Sequence, residues 1–302
     1  MYKEDAFNII STFIVNGFHI EKVERLSPEN SVYCIYKYDK LGAKVYYSIL
    51  FSEDEQLIFE KQFNVISKQY RAKPILVCDN ISSDHFDCYS KKKFFDFFGG
   101  MVTTGLILIQ NLPEILEDLG YNKLPPNLSG KPDDLHEIYV KECLQFILES
   151  PTRRYGEDRL FESLPDGIVI GKNRYLLLMD SKSYSGGFSF KADDIKRFAS
   201  YVEDFNSRYG HFFGNVFSFL VISGHFNDSD AAIQGRSDEL YKLCGCRLSC
   251  IKSKELGYIV QKIQNNPDLS KAILWKNVFT ELMIMEKHVN KEIARIKKDK
   301  LF

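Results

Sequence analysis

Apolar residues recur at helical spacing over residues 5–16 (Phe7, Ile10, Phe13, Ile14) and stop at Asn16-Gly17, which predicts a short amphipathic helix. Residues 32–38 and 44–51 are strand-like and flank a turn at Asp39-Lys40-Leu41-Gly42. Residues 53–69 read as a helix and residues 74–78 as a short buried strand, giving an α-β-β-α-β order and a small α+β domain over residues 1–125. After a helix over residues 113–119, the segment 120–132 has the most linker-like composition in the chain and marks a domain boundary.

The second half begins with a helix from Asp133 or Asp134 to Glu149. Leu135, Ile138, Tyr139, Cys143 and Phe146 form its apolar face, and Glu142 falls in the middle of that face. Two apolar runs, residues 167–170 and 175–179, enclose the turn residues Gly171-Lys172-Asn173 and predict a β-hairpin. A helix over residues 191–207 carries the stripe Ala192, Ile195, Phe198, Ala199, Val202 and Phe205, with Asp193 and Arg197 on the opposite face. Residues 216–223 read as a buried strand, and residues 268–302 as a helical extension.

The hairpin gives the chain its chemistry. A turn centred near residue 173 sets Asp166 opposite Asp180, and opposed side chains lie roughly 5 Å apart, close enough for two carboxylates to share one cation. Asp180 and Lys182, two apart on one strand, point to the same face. The run 175–179 has no polar residue on either face, as in a strand buried on both sides, and an ionised Asp at its end is costly without a metal or a partner charge. The bland alternative makes Asp166 a turn residue and Asp180/Lys182 a strand-end ion pair.

Composition narrows the partners. Hydrophobic content of 44% with 27% charged residues, and no apolar run long enough to span a bilayer, predicts a globular chain away from membranes. The N-terminus lacks a signal-peptide layout and the seven Cys are irregularly spaced, so a cytoplasmic, reducing environment is expected. Cys244, Cys246 and Cys250 lack a fourth ligand at zinc-like spacing and read as small buried thiols. Residues 1–130 hold 14 Lys and Arg against 17 Asp and Glu, and the remainder 26 against 24, so nucleic-acid contact must come from local patches. Lys91-Lys92-Lys93, Arg153-Arg154 with Arg159, and Lys297-Lys298 with Lys300 are the candidates, although such charge runs are more often solvated surface. Phe94, Phe95, Phe97 and Phe98 beside those lysines allow base stacking, although a core or interface role fits four Phe better.

Pro165-Asp166-Gly167, the hairpin, and Asp180-Ser181-Lys182-Ser183-Tyr184-Ser185-Gly186-Gly187-Phe188 resemble the cleavage domain of FokI-type restriction endonucleases, within the PD-(D/E)xK nuclease superfamily. The resemblance continues through residues 191–198, Tyr201-Val202-Glu203, Val221-Ile222-Ser223-Gly224-His225-Phe226, Leu248-Ser249 and Lys254-Glu255-Leu256, covering residues 130–267. It implies an α/β (α+β) restriction-endonuclease-like core, a central mixed sheet flanked by helices, and Mg²⁺-dependent hydrolysis of DNA with Mn²⁺ able to substitute. Asp166 and Asp180 would be the metal ligands, joined by the Ser181 backbone carbonyl, and Lys182 the catalytic ammonium. In this superfamily the helix before the first catalytic strand sometimes adds an acid, which makes Glu142 a candidate ligand, the alternative being an ion pair with a Lys or Arg. Asp193 and Arg197 match positions that form reciprocal ion pairs across a FokI-type dimer, or they pair within their own helix. Gly186-Gly187 permits close approach to DNA or simply makes a tight turn. The partners implied are double-stranded DNA, a second copy in a transient dimer, and a further subunit carrying sequence specificity, since residues 1–125 are short for that role. The rival classes are a defence or toxin nuclease acting on RNA or single-stranded DNA, and a non-catalytic DNA-binding module.

Overall fold

The structure, a computed structural model, describes residues 9–14, 18–27, 30–38, 43–52, 59–78, 86–90, 93–94, 111–126, 128–150, 152–155, 164–171, 175–266 and 268–298. The chain divides into two units, Met1–Thr103 and Thr104–Phe302.

In the first unit, helix α1 (residues 9–14) precedes strands β1 (His19–Arg25), β2 (Ser31–Tyr38) and β3 (Lys44–Phe51). Helix α2 (Glu60–Gln69) then crosses over to β4 (Lys73–Val77), and β5 (Asp87–Tyr89) follows. The sheet runs β1-β2-β3-β4-β5, antiparallel through its first three strands and parallel thereafter. Strand β1 is absent from the sequence reading because a bulge between Ile20 and Lys22 breaks its two-residue alternation. Phe63 of α2 is buried with Val32, Cys34, Leu50, Leu76, Cys78 and Phe86. The aromatic rings of Phe13, Tyr33, Phe51 and Phe94 form a second cluster, with centroids 5.3–6.0 Å apart. Phe94 is therefore a core residue, fully buried. Phe95, Phe97, Phe98, Lys91 and Lys92 lie outside the described residues.

The second unit begins with α3 (Leu112–Gly120) and α4 (Pro132–Leu148), then β6 (Thr152–Arg154), β7 (Gly167–Gly171) and β8 (Tyr175–Lys182). Helix α5 (Ala192–Phe213) crosses to β9 (Val216–Ser223), and α6 (Asp230–Cys244) to β10 (Arg247–Lys252). Helices α7 (Ser253–Asn265), α8 (Asp268–Ala272) and α9 (Trp275–Val278), strand β11 (Met283–Ile284) and α10 (Glu286–Lys298) complete it. This sheet runs β11-β10-β9-β8-β7-β6, and its first three strands in sequence are antiparallel and the rest parallel. Both sheets thus share one plan, an antiparallel meander followed by a helical crossover to a parallel strand. In the first sheet the buried end of β3, Ser48 to Phe51, carries no charged side chain.

Two boundaries differ from the sequence reading. The units divide at Thr103/Thr104, ahead of the Pro-rich segment, because α3 packs into the second unit: a Cβ on Gly120 would lie 2.6 Å from the Gly224 backbone nitrogen, so only glycine allows the approach. Nor is the C-terminal segment an appendage. Trp275, Val278, Ile284, Val289 and Ile296 share one buried cluster with Cys143 and Ile147 of α4, Leu177 and Met179 of β8, and Ile259 of α7. On the other face of the sheet Phe198 of α5 stacks on Phe219 of β9 at 4.2 Å.

His136 on α4 is fully buried, with Nε2 2.8 Å from Ser253 Oγ and Nδ1 unpartnered among the described residues. Burial lowers its pKa to about 4. The folded state therefore binds fewer protons than the unfolded chain between about pH 6.5 and 4, and stability must fall as pH drops through that window, by about 3 kcal/mol in all. Urea unfolding at pH 7 and pH 4.5 measures the loss, and His136→Gln should flatten the dependence.

Candidate active site

Pairing between β7 and β8 sets Gly167 opposite Met179 and Gly171 opposite Tyr175, the register of a turn centred on residue 173. One further step puts Asp166 opposite Asp180. β7 is buried along its whole length and Leu176 to Met179 are 0–1% exposed, so the hairpin is held by apolar neighbours on both faces and its polar end cannot shift. Asp180 and Lys182 stand beside Val221 and Ser223 at the C-terminal ends of two parallel strands.

The polar end is tightly drawn. Ser181 donates its backbone N–H to Asp166 Oδ2 at 2.6 Å, which aims that carboxylate across the strand. Asp180 is 4% exposed, and its Oδ2 meets the Lys182 ammonium in an ion pair. Burial raises the Asp166 pKa well above the usual carboxyl range; the charges of Asp180 and Glu137 raise it further, while Lys182 and the Ser181 N–H oppose them. For Lys182, burial works against the ammonium, yet Asp180 and Asp166 outweigh it and hold the pKa above that of a free lysine. Two carboxylates with a third acid nearby and one ammonium leave excess negative charge in a poorly hydrated place. Asp180 Oδ2 is also buried without a hydrogen bond of normal geometry among the described residues. Hard oxygen donors with unspent negative charge are the donor set of a divalent cation of the Mg²⁺ kind. Among the described residues no three His, Cys, Asp or Glu cluster closely enough to form a cage, and Mg²⁺ sites commonly combine one or two carboxylates with solvent and phosphate oxygens.

The remaining candidates fall elsewhere. Glu142 ion-pairs with Lys141 at 2.7 Å and its side chain is 31% exposed, so it lies at the rim of the buried face of α4 rather than at its centre. The α4 carboxylate whose charge reaches Asp166 is Glu137. Sequence reasoning missed it because it takes part in a non-local bridge: Arg154 donates to Glu137 Oε2 and to Asp134 Oδ1, both at 2.7 Å. Arg154 is thereby withdrawn from the basic patch proposed for it; Arg159 and Lys300 lie outside the described residues. Asp193 is 94% exposed and 3.8 Å from Lys196, and Arg197 pairs with Asp194 at 2.9 Å. The intrahelical Asp193–Arg197 pair is thus not formed. Cys246 and Cys250 are buried, and burial raises all three thiols of the Cys244-Cys246-Cys250 group.

A mixed sheet whose hairpin ends in two opposed carboxylates and a lysine is the core of a PD-(D/E)xK-type nuclease. The family model described as FokI, cleavage domain, matches residues 114–285, more than half of the chain, and the chain belongs to that family. Its match begins inside α3 and ends past β11, in keeping with the packing of both into the second unit. Two solved structures of restriction endonuclease FokI are similar, one bound to DNA: 16% and 17% identity, TM-score 0.42 for each, over 69% and 68% of this chain and 36% and 34% of theirs. This chain therefore spans about a third of the length of those structures. No curated protein matches it.

Proposed function

We propose that the chain is a Mg²⁺-dependent endonuclease that hydrolyses phosphodiester bonds in double-stranded DNA, either a type IIS-like restriction endonuclease or the cleavage subunit of one. The observation that carries this reading is the convergence of Asp166 and Asp180, in a charge-excess pair, on the Lys182 ammonium. Asp166, Asp180 and the Ser181 backbone carbonyl would hold the cation, Mg²⁺ or Mn²⁺ in its place. When bound, it supplies Lewis-acid polarisation of the phosphate and a more acidic attacking water. Lys182, kept charged by its two acidic neighbours, orients that water and offsets charge on the phosphorane-like transition state. Glu137 of α4, bridged by Arg154 of β6, adds its negative charge to the surroundings of Asp166, while Glu142, paired with Lys141, is a weaker candidate for a third ligand.

A panel of supercoiled plasmid, single-stranded circular DNA and RNA, each with Mg²⁺, tests the substrate class. Plasmid should be cut in preference, without discrete fragments if a further subunit supplies sequence specificity. Preferential cutting of RNA or single-stranded DNA would overturn the duplex assignment, and no cutting at all would favour a binding module.

One site holds one strand, so cutting both strands of a duplex calls for two copies related by a near two-fold axis. Full exposure of Asp193, and Arg197 held outward on the same helix face, support a reciprocal pairing between copies. Asp193→Arg and Arg197→Asp should each cut double-strand cleavage by about tenfold or more, and an equimolar mixture should restore it, because only the mixed dimer matches charges. Lack of rescue, with a rate strictly linear in protein concentration, would refute the dimer.

A further inference from the structure

We infer that Tyr184 is a substrate-contacting residue, a flat platform for the deoxyribose and phosphate of the nucleotide next to the scissile bond. The inference rests on the nuclease reading of the Asp166/Asp180/Lys182 site. Tyr184 follows Lys182 by two residues and is 51% exposed, although burying such a ring would favour folding. Its neighbours are kept inside: Phe188, Phe190 and Phe226 are 5–6% exposed and pack ring against ring. Tyr184 lies near-parallel to Phe188 at 6.0 Å, and the Lys182 ammonium stands 6.0 Å from the same Phe188 ring. The exposed ring and the ammonium thus share one support, which places the platform beside the reacting centre.

That support is rigid. Ser183 Oγ donates to the Leu119 carbonyl at 2.6 Å and Tyr184 N to the Gly120 carbonyl at 3.1 Å, tying the turn to α3. Gly187 N donates to the Tyr184 carbonyl at 3.1 Å, and Asn227 Nδ2 to the Gly186 carbonyl at 3.0 Å. Gly187 has φ +81°, and a Cβ there would meet Asn227 Oδ1 at 2.7 Å, whereas a Cβ on Gly186 would meet nothing within 4 Å. The turn is pinned on its inner side and open on its outer side. An aromatic ring displayed on such a mount loses little freedom on contact, and aromatic faces and tyrosine hydroxyls are common partners of nucleic-acid sugars, bases and phosphates.

The two hydrogen bonds that Tyr184 itself makes in the turn use its backbone atoms, so its side chain can be changed without dismantling the turn. In full-length protein, Tyr184→Ala should weaken binding of a short DNA duplex, measured with Ca²⁺ in place of Mg²⁺, by about fivefold to tenfold. In Mg²⁺ it should raise KM for duplex cleavage by a similar factor with kcat changed less than about twofold, as expected for lost uniform binding. Tyr184→Phe should recover most of the affinity. Unchanged binding and KM in Tyr184→Ala would overturn the inference, as would a loss confined to kcat. Wild-type protein that binds duplex but does not cut it would sink the nuclease reading and leave the contact standing on the binding arm; wild-type protein that does not bind duplex would sink both.

Discussion

Asp180→Ala is expected to lower Mg²⁺-dependent DNA cleavage by at least about a thousandfold, a loss of about 4 kcal/mol of transition-state stabilisation. Asp180 sits at the buried end of β8, and no described carboxylate can replace it, since Glu137 is held by Arg154 and Glu142 by Lys141. Fold stability should change little. The substitution removes the Lys182 pairing, which costs, and it also removes repulsion against Asp166, which gains; Lys182 keeps Asp166 as a neighbouring charge. Thermal unfolding and cleavage measured on one preparation separate the two effects. Residual cleavage above a few per cent, with an unchanged unfolding temperature, would remove Asp180 from the ligand set.

Lys182→Ala should cost about a hundredfold to a thousandfold in cleavage while leaving a metal site in place. The two carboxylates and the Ser181 N–H that aims Asp166 do not depend on the lysine side chain. Its removal has a second consequence with a definite sign. Lys182 is one of two influences pulling the Asp166 pKa down, so that pKa rises further in the variant. A cation must then displace a proton more often, and calorimetric Mg²⁺ affinity should fall more steeply than in wild type as pH is lowered. Complete loss of Mg²⁺ binding at neutral pH would contradict the division of labour between the carboxylates and the lysine.

What could be read from the chain follows the reach of each interaction. The hairpin register was legible because two short apolar runs enclose one turn, and the same few residues fix which side chains oppose one another. β9 was legible because a strand buried on both faces needs a continuous apolar run. Glu142 falls mid-face only if Ile138 is counted among the buried positions, but Ile138 is 39% exposed, whereas Val140, Leu144 and Ile147 define the buried face. β11 spans two residues and exists only because Cys250 and Ile251 of β10 present a parallel edge, so nothing in Met283-Ile284 itself announces a strand. The helix predicted over residues 191–207 runs on to Phe213, where Tyr209 and Phe213 extend its buried stripe. The Pro-rich segment read as a linker because composition reports local stiffness, but the packing of Gly120 on Gly224 that ties α3 into the second unit joins residues about a hundred apart and leaves no local trace.

Asp166 and Asp180 are proposed to hold a divalent cation for DNA cleavage. Supercoiled plasmid incubated with the full chain in Mg²⁺, in Mn²⁺ and in excess chelator, beside Asp166→Ala and Asp180→Ala controls, tests it most directly. Nicked and linear products are expected with either metal, none in chelator and none from the variants. Cleavage that persists in chelator, or that survives in both variants, would contradict it.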